Sequence, residues 1–353
     1  MRITLQLLVA SLALTAAAKK SKKPNENHIP FDVKIAHVEG TEVTVTVTNK
    51  WKKDVNVFKR MNILDSNPVQ KVNVTRADGT PARFIGAHAR LNTEKLDKAS
   101  FDHLGRKKST KITFDLSHIY DLSEGGKFEV HAEGGLPWAK KKKTDIVGTA
   151  PYKTEKLTID VDKEALASKK TISQKTVIQS DCSGDRLERT REANAVCAML
   201  ATMAGWSAVN GDAAQFERYF RTQDPNMRQQ VSRRFFAVAD ECLGKTSLST
   251  TLCSDQLNLC KSDYISVTYG TQITNCDMYW RFPTLSDQCH SYDQATLTIH
   301  ETTHVDGLDE PSTVDFQNNY GWPALTYLTP EQAVTNAANY QYFANAIYAG
   351  ADC

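Results

Sequence analysis

Apolar and polar residues alternate through the first half of the chain, in Phe31-Asp32-Val33-Lys34-Ile35, Glu42-Val43-Thr44-Val45-Thr46-Val47, Lys111-Ile112-Thr113-Phe114 and Lys127-Phe128-Glu129-Val130. A period of two sends one face of a strand to a core and the other to water, so these runs predict half-buried strands. Turn signals such as Asp78-Gly79 and Glu124-Gly125-Gly126 separate them, and residues from about 30 to 160 read as an antiparallel β-sandwich. Past residue 180 the spacing changes to three and four. Segments near 184–206, 211–222 and 226–243 predict helices, followed by a strand-like stretch from Tyr264 to Tyr269. Ser291-Tyr292-Asp293-Gln294 has the form of a capping box and opens a helix that Gly307 and Pro311 end. Thr329-Pro330-Glu331-Gln332 opens a last helix running to Gly350.

Three features divide the chain further. Met1 to Ala18 combines Arg2, an apolar run from Leu5 to Leu14 and the small residues Thr15 to Ala18, which predicts a secretory signal peptide; the run is too short to span a bilayer. The expected product is secreted and extracellular. All eight cysteines (Cys182, Cys197, Cys242, Cys253, Cys260, Cys276, Cys289, Cys353) lie after residue 180, and an even number in an exported chain reads as a disulfide framework. No C-x-x-C pair occurs that would favour a zinc-thiolate site. Charge divides at the same place. Residues 176–353 carry 11 Lys and Arg against 21 Asp and Glu, a net of −10; the chain's 43 and 41 leave 32 and 20 for residues 1–175, a net of +12. Lys169-Lys170 and Lys175 join the halves.

The chemistry concentrates in His300-Glu301-Thr302-Thr303-His304. On a helix, side chains four apart share a face, so both imidazoles can hold one metal ion while Glu301 reaches a water beside it. That layout points to a zinc-dependent hydrolase. A catalytic zinc takes three protein ligands and keeps one position open. The acidic half has only one other histidine, His290, and Glu310 stands where a third histidine would follow in the longer three-histidine motif. The remaining candidates are carboxylates: Asp306, Asp309, Glu310, Asp315, Glu331 and Asp352, with His290 folding back as the alternative. The basic half shows no candidate active-site cluster, which suggests a propeptide ahead of a mature enzyme. Asn73-Val74-Thr75 is a glycosylation sequon within it.

Around Asp315 the chain resembles the deuterolysins, fungal aspzincin zinc endopeptidases. The resemblance rests on the H-E-x-x-H motif, on Ser312-Thr313-Val314-Asp315 and then Tyr320-Gly321, and on a start like Thr176-Val177 after a basic residue. Asp181-Cys182, the stretch Phe343-Ala344-Asn345-Ala346-Ile347 and a final cysteine extend it over the acidic half. It implies His300, His304 and Asp315 as ligands of one zinc ion per catalytic domain, Glu301 as general base and Tyr320 as a hydrogen-bond donor. Two departures stand out: Ser312 replaces the family's usual Gly, and four residues separate Asp315 from Tyr320 where two are common. The last helix lacks the acidic residue that members use for basic side chains, reading Thr335-Asn336-Ala337-Ala338-Asn339. The resemblance also implies the pairs Cys182–Cys253, Cys260–Cys276 and Cys289–Cys353, leaving Cys197 and Cys242 to link two predicted helices.

The expected organisation is a signal peptide (1–18), a β-sandwich-like propeptide (19–175) and a mainly α, zincin-type catalytic domain with a small β element (176–353). Cleavage is expected near Lys175, with the Lys169-Lys170 pair as the near alternative. Expected partners are protein or peptide substrates, favouring basic proteins, and the chain's own propeptide; no nucleic acid, no membrane and a monomeric state are expected. The competing readings are a secreted, disulfide-rich metal-binding protein without turnover, and a zincin that uses Glu331 as third ligand.

Overall fold

The computed structural model describes residues 31–92, 96–167, 178–316, 321–350 and 353. The expected signal segment, the Lys169, Lys170 and Lys175 junction, Thr176, Tyr320 and Asp352 lie outside the described residues.

The first half is made of strands: β1 (Phe31–His37), β2 (Glu42–Asn49), β3 (Val55–Phe58), β4 (Asn73–Arg76), β5 (Ala87–Leu91), β6 (Phe101–Leu104) and β7 (Ser109–Asp115). It continues through β8 (Gly126–His131), β9 (Glu133–Lys140), β10 (Ile146–Lys153) and β11 (Leu157–Val161) to a short helix, α1 (Lys163–Ala167). The alternating runs of the sequence are β1, β2, β7 and β8. In β2 the valines 43, 45 and 47 are fully buried and the residues between them partly exposed, as a period of two requires. All of these strands but β5 form three antiparallel sheets, ordered β1-β2-β7, β10-β9-β3-β6 and β11-β8-β4, around one core that includes Val45, Phe128, Val130 and Ile159. The arrangement has three sheets where a simple sandwich has two. Asn73 of the sequon is exposed at the start of β4.

The second half is mixed. Its helices are α2 (Gly184–Asn210), α3 (Ala213–Phe220), α4 (Pro225–Cys242), α5 (Gln294–Thr303), α6 (Pro330–Ala333) and α7 (Ala337–Ala349), with strands β12 (Thr250–Leu252), β13 (Tyr264–Tyr269) and β14 (Gln272–Asn275). Helix α5 packs between α2, α4 and α7, burying Ala295 and Ile299 among Leu200, Phe235 and Phe343. Four disulfides cross-link this half: Cys182–Cys253, Cys197–Cys242, Cys260–Cys276 and Cys289–Cys353. Among the described residues no helix is long and apolar enough to cross a membrane.

The two halves share a sheet. Strand β5, from the basic half, pairs antiparallel with β13 and completes a sheet of order β12-β14-β13-β5. Ala87, Ala89 and Leu91 then pack with Phe58, Leu259, Tyr264 and Val267 in a core drawn from both halves. A buried ion pair, Arg60 Nε to Asp263 Oδ1 at 3.1 Å, crosses the same join, and Ser100 Oγ donates to the other oxygen of Asp263 at 2.5 Å.

Two helix limits differ from the sequence reading. Helix α5 is capped by Asp293, whose side chain accepts from the Thr296 N–H at 2.7 Å. Ser291 instead donates to Ser286 Oγ and the Gln288 carbonyl, and the Gln294 amide donates to the Tyr279 and Phe282 carbonyls. The last helix is two: the capping box at Thr329 and Gln332 is present, but α6 stops at Ala333 and α7 starts after the cap residue Asn336. The break has a purpose in packing. Val314 forms a bridge to Asn336, its N–H donating to the Thr335 carbonyl at 2.9 Å, and the Asn336 side chain accepts from the Phe316 N–H at 3.2 Å. A continuous helix would have its carbonyls engaged and could not hold this segment.

Candidate metal centre

Helix α5 presents His300 and Glu301 on its last turn, and His304 follows as its C-cap with helical backbone angles. All three are buried. The two histidine Nε2 atoms face each other at 3.3 Å. The pinned segment at Val314 delivers Asp315 to the same point: its Oδ1 lies 3.3 Å from His300 Nε2 and its Oδ2 lies 3.4 Å from His304 Nε2. Donor atoms bound to one tetrahedral zinc stand about 3.3 Å apart, because the bonds are about 2.0–2.1 Å long. The cluster therefore has the edges of a zinc site. Asp315 Oδ2 is buried without a hydrogen bond, a second sign that these donors converge on a cation.

The surroundings orient His304, Asp315 and Glu301, whereas His300 Nδ1 is buried without a hydrogen-bond partner among the described residues. His304 Nδ1 faces the Thr313 carbonyl at 3.0 Å, which keeps the proton on Nδ1 and leaves the Nε2 lone pair for a metal. Thr303 and Thr313 hydroxyls bond at 2.7 Å and tie the end of α5 to the Asp315 segment. Arg234, buried on α4, donates to the carbonyls of Asp309, Pro311 and Val334, so one guanidinium fixes both the loop after α5 and the helix break that holds Val314. Glu301 turns toward β13: its two oxygens accept from Ser266 Oγ and Thr268 Oγ1, each at 2.6 Å. Sequence reading found none of Arg234, Ser266 and Thr268, which carry no motif and act through tertiary contact alone.

Burial dominates the protonation of the cluster. It holds the His300 imidazole down at about 4 and pushes the Glu301 carboxyl above the ordinary glutamate value despite the His304 charge and the two hydroxyls. For Asp315 burial is outweighed by His304 and His300, and its carboxyl lies well below the usual range. Burial also pulls on His304, but Asp315 and Glu301 outweigh it and raise that imidazole.

The other candidates fall elsewhere. His290 stacks on Trp322 at 4.2 Å and shares a hydrogen bond with Tyr219, so it does not fold back to the cluster. Glu331 is exposed in the first turn of α6, and Asp309 pairs with Arg233 at 2.8 Å. The basic half, in contrast, is not without a site residue. His88 of β5 stacks on His304 with centroids 4.0 Å apart and rings within 9° of parallel, and a ligand atom of His88 lies within 4.8 Å of those of His304 and Asp315. Burial holds its imidazole far below the ordinary histidine value.

The model of the deuterolysin metalloprotease (M35) family matches residues 1–351. A neutral protease 2 homolog of Phaeosphaeria nodorum is 36% identical over 98% of this chain and 99% of its own. Neutral protease 2 of Aspergillus oryzae is 34% identical, again over 98% and 99%. Among solved structures, a zinc peptidase from Grifola frondosa matches with 18% identity and a TM-score of 0.38, covering 46% of this chain and 96% of that one.

Proposed function

The chain belongs to the deuterolysin metalloprotease family and is a zinc metalloprotease, and from that premise we propose that it is a secreted endopeptidase, made as a precursor, whose zinc is held by His300, His304 and Asp315. The observation that supports this ligand set is the convergence of His300 Nε2, His304 Nε2 and the two Asp315 oxygens at contacts of 3.3–3.4 Å. Glu301 beside it favours turnover over a metal-binding protein without activity, since a structural site has no use for a base. A zinc ion in this cluster supplies positive charge that acidifies a nearby water and polarises a peptide carbonyl. Glu301, held by Ser266 and Thr268, takes the water's proton and delivers it to the leaving amine. Tyr320 is assigned the role of donor to the carbonyl oxygen on the family resemblance.

Residues 19–175 act as a propeptide on this reading and 176–353 as the catalytic domain, which holds one zinc ion. The net charge of −10 on residues 176–353 favours basic protein substrates, by an attraction that salt weakens. Metal content and peptide hydrolysis of two variants test the roles. Glu301→Gln is expected to keep its zinc and lose activity by about 100- to 10,000-fold, the contribution of a general base. Asp315→Ala is expected to lose zinc, whereas Glu331→Ala keeps it; the reverse outcome for the last two moves the enzyme to the other class of zincin.

A further inference from the structure

The pairing of β5 with β13 has a chemical consequence. Residues opposite each other on antiparallel strands project from the same face. Thr268 and Ser266, which hold Glu301, stand opposite His88 and Arg90. The register that builds the catalytic side of β13 therefore aims the polar side of β5 at the same centre. Arg90 is engaged above the cluster, donating to Tyr342 at 3.2 Å and packed over the rings of Tyr292 and Tyr342. His88 alone on that face has ligand chemistry, an imidazole stacked on His304 next to a cluster that supplies three donors of the four a zinc ion takes.

We propose that His88 is the fourth zinc ligand of the uncleaved chain, occupying the coordination position that the reaction needs for water. The proposal rests on the zinc and precursor reading given above. The His88 ligand atom stands up to about 1.5 Å farther from those of His304 and Asp315 than a bound donor would, since it lies within 4.8 Å of both and bound donors are about 3.3 Å apart. A cavity of about 430 Å³ bordered by His88, Lys71, Phe84, Asp315 and Phe316 gives the imidazole room to turn out of its stack on His304. The backbone that carries it is fixed by the β5–β13 ladder and by the Arg60–Asp263 pair. Removal of residues 19–175 would take the imidazole away, the zinc–His88 bond breaking and a bond from zinc to water replacing it.

Zinc-edge X-ray absorption of the zinc-loaded full-length chain reads the ligands directly. Three imidazoles are expected in the wild type and two in His88→Gln and His88→Ala, and both variants are expected to release zinc to a chelator at least about tenfold faster. His88→Gln keeps a polar side chain of similar reach, and circular dichroism confirms its fold. A wild-type spectrum with two imidazoles overturns the assignment whatever the variants do and leaves the zinc reading standing. A full-length chain that binds no zinc overturns the zinc reading itself.

Discussion

In β2 the valines fill the core of the first half while Glu42, Thr44, Thr46 and Thr48 remain partly exposed; in β5 the alternate residues fill a core and the polar ones between them, His88 and Arg90, are buried as well. The two strands have the same period and differ in what lies across from the polar face. For β2 it is water, and Thr44 merely shares a hydrogen bond with Thr113 at 2.6 Å on the surface. For β5 it is the His300, His304 and Asp315 cluster of the second half, reached through β13. Alternation thus reports that a strand has two unlike faces. It does not report whether the polar face meets solvent or another part of the chain.

The largest expected effect of changing a side chain lies at the join that holds β5. Asp263→Ala leaves Arg60 buried without its carboxylate and is expected to destabilise the full-length chain by about 3–5 kcal/mol, measured by denaturant unfolding. A loss under about 1 kcal/mol would mean that the join is a surface contact like that of β2. Thr268→Val comes next. It removes one of the two hydroxyls on Glu301, a hydrogen bond to a charged group worth about 1.5–3 kcal/mol. That hydroxyl lowers the Glu301 carboxyl, so its loss raises it further. A base must be deprotonated to work, so the acid limb of the kcat/KM profile moves to higher pH; an unmoved limb would separate Thr268 from the base. Smallest is Thr44→Val on β2, expected to shift stability by no more than about 0.5 kcal/mol because its face meets water.

Much of this was legible in the sequence. The period of two located β1, β2, β7 and β8, and the spacing of three and four located α2, α3 and α4, because each element has one face in its own core. His300, Glu301 and His304 are neighbours in sequence and meet through helix geometry alone. Asp315 needed the family resemblance, since what delivers it is a bridge to the break between α6 and α7, and the Thr335-Asn336 interruption reads as continuous helix. His88 was hidden for the opposite reason. The run Ala87-His88-Ala89-Arg90-Leu91 alternates, but two of its three apolar positions are alanines and its polar ones look suited to solvent, and only the partner strand, more than 170 residues later, changes that meaning. Arg234 gave no signal at all, as a single arginine in an amphipathic helix ordinarily faces water.

The proposed organisation has one polar strand face closing a zinc site whose catalytic residues all follow residue 175. It is tested by sequencing the N-terminus of the secreted active species and measuring peptide hydrolysis before and after processing. The account predicts an active form beginning near Thr176 and a precursor that is much less active. A fully active protein that retains residues 19–175 would contradict it and make the strand-rich half a working domain.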